Sequence, residues 1–488
     1  MGGQVYSLPM TEKNLVAIIQ TEARYPLLPP FSPPFFPPEY PFSPHSGLDK
    51  SNKVYQAVRD LFFKLKMDWE NYGSPEWNPL GCVVKKGDKV VIKPNFVLHF
   101  NSSGHDLNSV ITHGSVIRAV MDYIYIALKG KGEIIIADAP QMNADFEKIK
   151  NHSGMNEVIH FFEEQVHKGK YGLIKVACYD LRKEQTYYKN GIVWKRLPLE
   201  GDPKGYVLVD LGDFSEVKDV NPKRVYGADY NRCEQEKAHC EGHHYYLISK
   251  TIIDSDVVFS LPKLKTHSKV GVTLNLKNMV GINGNKNYLI HYLVYSPKKG
   301  GDEFSDNLWL LNLDRFLKDL LLKGHWEKGK YFFSIWQKVM QGILHSRKSK
   351  QIFKGGNWYG NDSAWRMTLD LNKILFFADK NGVMHDTPQR RFFSIIDGIV
   401  AGEKNGPLGP LPKKAGILIG GFNPVLVDEV AVNTMGFDGN KIPLIKKMWE
   451  IERFRLTDTQ KDEIQIIGDS KLNCNFLPPD GWIGHIEK

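Results

Sequence analysis

KVVIKPNFV, residues 89–97, passes through Val90, Val91 and Ile92 without polar alternation and stops at a Pro-Asn turn. Consecutive β-branched residues put apolar groups on both faces of a strand, the pattern of a parallel sheet covered on both sides. Its neighbours complete the unit. THGSVIRAVMDYIYIAL (112–128) has helical apolar spacing behind an N-cap at Thr112 or Ser115. GEIIIADAP (132–140) is a second buried strand, ending at Asp138. Strand, helix and strand in that order point to an α/β fold.

Working outward, LVAIIQT (15–21) reads as a strand and 52–66 as a helix. Residues 171–235, with LIKVACYD, GIVWKRLPL and GYVLVDLG, read as an antiparallel insertion. DSDVVFSLPKLKTH (254–267) returns to the buried-strand pattern. Residues 303–358 are helical and basic, with Trp309, Leu310, Leu313, Phe316 and Leu320 in period. FFSIIDGIV and AGILIGGF add two strands, and VLVDEVAVNTMG a helix. The expected fold class is α/β, mainly parallel sheet with flanking helices, a β-rich insertion and an N-terminal Pro/aromatic strap. The expected division is 1–50 (strand and strap), 51–170 (α/β), 171–250 (β-rich insertion), 251–300 (active-site loop region), 301–390 (helical) and 391–488 (α/β, completing the core).

The strap carries nine prolines between Pro26 and Pro44, with Tyr25, Phe31, Phe35, Phe36, Tyr40 and Phe42. Proline fixes φ and removes donors, so extended chain is expected. The rings must find cover, which favours a strap over the core; a peptide ligand for another protein and an interface arm are the alternatives.

A chain of 488 residues with 42% hydrophobic content can bury a large core. Its charge is +9, spread along the sequence with short clusters such as Ser346–Lys350 (SRKSK) rather than a dense stripe. An anionic small molecule is therefore the expected partner and nucleic acid is not. Five cysteines without a CxxC pair imply a reducing compartment and no iron–sulfur cluster within this chain. No signal peptide pattern, no apolar run of about 18 residues, and Tyr6 where a myristoylation motif wants Ser or Thr place the expected protein in the cytoplasm, off the membrane.

Open α/β sheets bind ligands at strand ends. Here those ends carry Lys93 and Asn95, Asp138, Lys263 and Lys265, and Asp397. The densest stretch is LPKLKTHSKVGVTLNLKNMVGINGNKNYLIHY (261–292), with five lysines, two histidines, three glycines and five asparagines. Gly and Asn permit concave N–H-lined turns, and a lysine desolvated beside other cations becomes a base or nucleophile. His267 is the expected acid/base and Lys277 the nucleophile, base or cofactor anchor. Lys93, Asn95, Lys263, Lys265, Asn275 and Asn278 are expected to hold the anion, with Arg366 a bidentate clamp and Asp397 a positioning carboxylate. His113, His239 and His243 are candidates for a second proton-transfer group. Cys233 and Cys240, in YGADYNRCEQEKAHCEGHHYY (226–246), and His291 are the metal-ligand candidates, although their spacing matches no standard zinc motif. The structural alternatives are capping or hydrogen-bonding histidines, buried thiols and solvated lysines.

VVIKPNFV, ITHGSVIRAVMDYI, LPKLKTH-x3-G-x5-KNMVGI, GNW-x-GND-x2-WR and SIIDGIVAGEKNGPLGP with NPVLVDEVAVNTMGF resemble, in order, a prokaryotic domain family of unknown function numbered 362. The likeness covers most of 87–440; that family is sometimes fused to ferredoxin-type modules, which implies a redox partner protein. A more distant resemblance is to the nickel-pincer lactate racemases. There a histidine precedes the cofactor-bearing lysine by ten residues, with a glycine four after the histidine, as His267, Gly271 and Lys277 do here. Leu274-Asn275-Leu276 stand where that family has glycine-glycine-arginine. This resemblance implies a pincer-type cofactor on Lys277, a divalent metal near His291 and isomerase or racemase chemistry; transferase-like chemistry is the other enzymatic option. The competing expectation is a non-catalytic anion-binding or accessory protein using the strap. A homo-oligomer is compatible with either.

Overall fold

Strands from both ends of the sequence share one sheet. The computed structural model describes residues 14–488 except 44–46, 166–169, 173, 190–191, 325–328 and 347–351. Met1, Gly2 and Tyr6, Pro44, and Arg347–Lys350 of the basic cluster lie outside the described residues.

In chain order the elements that frame the site are β1 (Leu15–Gln20), α1 (Lys53–Lys64), β2 (Lys89–Pro94), α2 (Gly114–Leu128), β3 (Glu133–Asp138), β4 (Lys175–Asp180), β5 (Val257–Leu261), β6 (Lys263–His267), β7 (Gly271–Thr273), α3 (Asn275–Asn278), α4 (Ala364–Phe377), β8 (Arg391–Glu403), β9 (Leu411–Lys413), β10 (Ile417–Gly421), α5 (Pro424–Met435) and β11 (Gln465–Ile467). The sheet runs β11-β1-β10-β8-β5-β2-β3-β4, with β6 and β9 on the far half of β8 and β7 on β6. From β8 through β5, β2 and β3 to β4 every pairing is parallel. β10 pairs antiparallel with both β8 and β1.

Alternate residues of each central strand enter opposite cores. Val91, Ile135 and Val258 pack with α4 and α5, whereas Val90, Ile92, Ile134, Ile136, Val257 and Phe259 pack with α1 and α2. That two-sided burial is why the strands read as unbroken apolar runs.

Three local expectations change. LIKVACYD joins the main sheet as its edge strand β4, pairing with β3 from Glu133↔Lys175 to Asp138↔Asp180. The antiparallel pairs of the insertion begin after it, Glu184–Lys189 with Ile192–Pro198 and Tyr206–Asp210 with His243–Ser249. The 254–267 run is two strands: Pro262 separates β5, paired with the first part of β8, from β6, paired with its far half. The helix Trp309–Leu322 turns its periodic stripe outward, leaving Trp309 69% and Phe316 59% exposed. Its inward face combines Leu311, buried with Phe304 and Met340, with polar contacts: Arg315 pairs with Glu303, and Asp314 accepts from Trp336 and Gln337.

The strap covers the core with part of its rings. Tyr25, Phe31 and Phe42 are buried, and Phe42 stacks on Tyr125 at 5.1 Å. Asn52 donates to the Phe31 and Ser32 carbonyls, fixing the strap at the start of α1.

Candidate functional site

The chain proceeds from β2 to β3 and β4 on one side, then returns to place β5 on the other side of β2. Such a reversal leaves a crevice at the carboxyl ends of the two diverging strands. A cleft of about 760 Å³ opens there, lined at β2 by Lys93 and Asn95, at β3 by Asp138, and beyond β6 by His267. Lys269, Lys277, Asn278, Lys286 and His291 are among its other polar lining residues.

The floor is a buried ion pair. Lys93 Nζ lies 2.8 Å from Asp138 Oδ1 and donates to Pro94 O at 2.7 Å and Asn278 Oδ1 at 3.2 Å. Asp138 Oδ2 accepts from Phe96 N at 2.7 Å. Burial lowers the pKa of Lys93, and Asp138 opposes the shift. Gly281 passes directly over the pair: a Cβ there would lie 2.0 Å from Asp138 Oδ1 and 2.6 Å from Lys93 Nζ. Only a residue without a side chain permits this approach.

Lys277 is carried by α3, a single turn held from outside. Asp428 of α5 accepts the N–H groups of Asn275 and Leu276 at 2.8 and 2.9 Å, and Asn372 of α4 donates to Leu276 O at 3.0 Å. A carboxylate on N–H groups at a helix start is favourable. Burial nevertheless pushes Asp428 up to about 7, against those hydrogen bonds. Lys277 is 9% exposed, and its amine makes no hydrogen bond or ion pair among the described residues. Burial, then Lys269 and Lys93, pushes it down to about 7.

Two further lysines make no ion pair among the described residues. Lys286 donates to Val280 O at 3.1 Å and is pushed down to about 7, chiefly by burial. Lys269 donates to Gly355 O and is pushed down to about 8 by burial. The cleft's carboxylates are Asp138, committed to Lys93, and Asp480, which accepts from Asn405 at 2.8 Å. The lining is therefore cationic. It also holds buried polar atoms without partners, Asn95 Oδ1, Thr273 Oγ1 and His291 Nδ1.

Burial and neighbouring cations disfavour the charged form of both cleft imidazoles. Burial, followed by Lys277 and Lys269, drives His267 and His291 well below the usual histidine range; the Leu289 carbonyl opposes the shift at His291. Lys269 N donates to His267 Nδ1 at 3.0 Å, so the neutral ring carries its proton on Nε2.

Residues 90–168 and 211–433 match the family described as Domain of unknown function (DUF362). The chain belongs to the DUF362 family. A solved structure from Thermotoga maritima, a structural-genomics protein, is 12% identical over 77% of this chain, with a TM-score of 0.30. The match spans 58% of that protein's chain. No curated protein matches.

The tertiary structure brings together Lys93, Asn95, His267, Lys277, Asn278 and His291 of this DUF362 chain. It assigns other candidates different work. Lys263 pairs with Asp397 at 2.7 Å; both side chains are fully buried, and Tyr25 and the His113 backbone N–H complete the cluster. His113 caps α2, accepting Ser115 N at 3.1 Å on Nδ1, while its ring stacks on Tyr25 at 4.0 Å. Lys265 donates to the Val110 and Pro407 carbonyls and lies behind the cleft lining. Asn275 is bound to Asp428. Arg366 clamps Asp362 and Glu216 O at the start of α4. His239 is buried against Tyr288 O, with burial pushing it down to about 4, and exposed His243 pairs with Asp210. Cys233 and Cys240 are free thiols lining two other cavities. Among the described residues no three His, Cys, Asp or Glu side chains are grouped to hold a metal.

Lys269 and Asp428 escape motif reasoning. The one signal for Asp428 is an acid, with Glu429, on a helix lacking a polar face; Lys269 lies in the dense 261–292 stretch beside a histidine.

The Tyr25–Lys263–Asp397 cluster gives a prediction of structural work. Tyr25 OH donates to Asp397 at 2.6 Å and accepts from Lys263 at 2.8 Å and Val400 N at 3.2 Å. Tyr25→Phe removes one hydrogen bond of the buried Lys263 ammonium, which keeps Asp397, and one of the part-buried Val400 N–H, at a cost of about 2–3 kcal/mol. Urea unfolding should report that loss while anion binding in the cleft stays intact. A change under 0.5 kcal/mol, or lost binding, would contradict the assignment.

Proposed function

We propose that this protein is an enzyme that binds an anionic small molecule, a carboxylate or phosphate, and transfers protons at it. The observation that carries this reading is Lys277: a buried, unpaired amine held near neutrality in a cationic cleft open to solutes. With a pKa of about 7, half of its molecules are neutral at pH 7, so the same group can abstract a proton or attack a carbonyl. His267, protonated on Nε2, serves as the complementary donor toward charge developing on the substrate. Lys269 and Lys286 attract the anion; Lys93 is spent on Asp138 and shapes the floor. The chemistry this supports is of the isomerase or racemase kind.

A specific observation favours a cofactor-assisted version. His291 keeps a buried Nδ1 without a hydrogen-bond partner in the cleft that holds the free Lys277 amine. A pincer-type group would be anchored by Lys277 with its metal on His291, and the metal would supply Lewis-acid chemistry. Intact mass and metal content of the purified protein distinguish this version from the cofactor-free one.

The anion-binding step is tested by proton linkage. An arriving anion favours charged lysines, so binding takes up protons wherever Lys277 and Lys286 are partly neutral, at and above pH 7. Calorimetry of inorganic sulfate, whose own charge is fixed in this range, in buffers of different ionisation heat should show proton uptake at pH 7.5. The Kd should rise up to about tenfold per pH unit for each proton taken up. Binding without proton uptake, or no binding at pH 6.5, would remove the reading.

A further inference from the structure

This inference rests on the anion-binding reading and specifies its ligand. The cleft's lysines are pinned on different segments. Lys286 is fixed by the Val280 carbonyl, and the charges acting most strongly on it are those of Asp138, Lys93, Arg182 and Lys277. Lys269 is fixed by the Gly355 carbonyl, with its amine 5.3 Å from the centre of the Tyr292 ring. The charges around it are different ones, Asp302, Lys318, Glu303 and Asp229. Lys277 and His267 line the same cleft, and the backbone N–H of Lys269 donates to His267 Nδ1 at 3.0 Å. Lys286 is thus held at Val280, next to the Gly281 that covers the Lys93–Asp138 floor, while Lys269 is held by a different wall, at Gly355 and Tyr292.

Size agrees with more than one head group. A cleft of about 760 Å³ is in the range that takes a drug-sized molecule. Tyr230, Val280 and Leu289 add apolar surface to its lining. We propose that the ligand is a small molecule with an anionic group at each end, one on Lys286 and one on Lys269, whose carbon skeleton lies across Lys277 and His267. The reacting carbon is then held at the central amine by two charge-assisted anchors rather than one, which fixes orientation as well as affinity.

Linking two heads makes the second contact intramolecular, a gain of about 10²–10⁴-fold when the spacing fits. Calorimetry on the full chain at pH 6.5 would compare inorganic phosphate, α,ω-dicarboxylates of increasing length with monocarboxylates of matched length, and fructose 1,6-bisphosphate with fructose 6-phosphate. Two phosphates per chain are expected, but one two-headed molecule. The best two-headed probe should bind at least 30-fold tighter than its one-headed counterpart. Lys269→Met and Lys286→Met should each reduce it to one-headed affinity and reduce phosphate to one per chain, with urea midpoints confirming that both variants fold. Two-headed probes no tighter than one-headed ones would overturn the inference and leave the anion cleft standing. Failure of every probe to bind would remove both.

Discussion

Lys277→Met is expected to make the empty protein more stable while removing its most reactive amine. A lysine in the unfolded chain stays protonated to about pH 10.4. In the fold, burial and neighbouring cations hold Lys277 near 7 without a carboxylate to compensate. At pH 7 and below, the folded state therefore carries an unfavourable charge, and a side chain of similar shape without it should gain roughly 2–4 kcal/mol. The pH dependence has a definite sign. Between about pH 7 and 10 the unfolded chain binds more protons than the folded one, so wild-type stability rises with pH, by up to about 1.4 kcal/mol per unit for each such lysine. Lys277→Met should lose its share of that slope, leaving the shares of Lys286 and Lys269.

Reactivity supplies an independent readout. At pH 7 about half of Lys277 is neutral, against roughly one part in 10³ of an ordinary lysine. An anionic amine reagent such as trinitrobenzenesulfonate should label Lys277 about 10²-fold faster than surface lysines, as peptide mapping would show. Lys277→Arg keeps the charge but cannot become neutral. It should retain anion binding and lose about 10²–10⁴-fold in turnover. A destabilised Lys277→Met variant, or labelling of Lys277 no faster than the average lysine, would refute the state assigned to this amine.

Asp138→Asn is expected to cost about 3–5 kcal/mol, because it leaves the buried Lys93 ammonium without its counter-charge. One amide oxygen can still accept Phe96 N, so the loss belongs to the Lys93 side. The double variant Lys93→Met, Asp138→Asn removes the stranded charge and should recover much of that stability, which a double-mutant cycle would register as strong coupling. Gly281→Ala attacks the same pair sterically, with a methyl 2.0 Å from Asp138 Oδ1. A loss below 1 kcal/mol for Asp138→Asn would mean that the pair does not hold the cleft floor.

The α/β fold and much of the site were legible in residue order. Unbroken Val/Ile runs can only be covered on two faces, and the cores on either side of β2, β3 and β5 bear this out. His267 and Lys277 stood out because a stretch dense in Lys, Gly and Asn follows a stiff apolar strand. The outward stripe of Trp309–Leu322 was not legible, since periodicity reports that a helix has an apolar face and not which way the face turns.

What the sequence determined by itself is therefore local: which segments form strands and helices, that the strands are buried on both sides, and that 261–292 concentrates cations. The tertiary structure alone decided which cations are free. Lys263 and Lys93 read alike beside Lys277 in the sequence, yet each meets a carboxylate that folding brings from far along the chain, Asp397 and Asp138. Lys277 meets none among the described residues. Ion pairing depends on separations of a few ångströms between residues up to hundreds of positions apart, and those distances exist only once the strands have taken their order in the sheet.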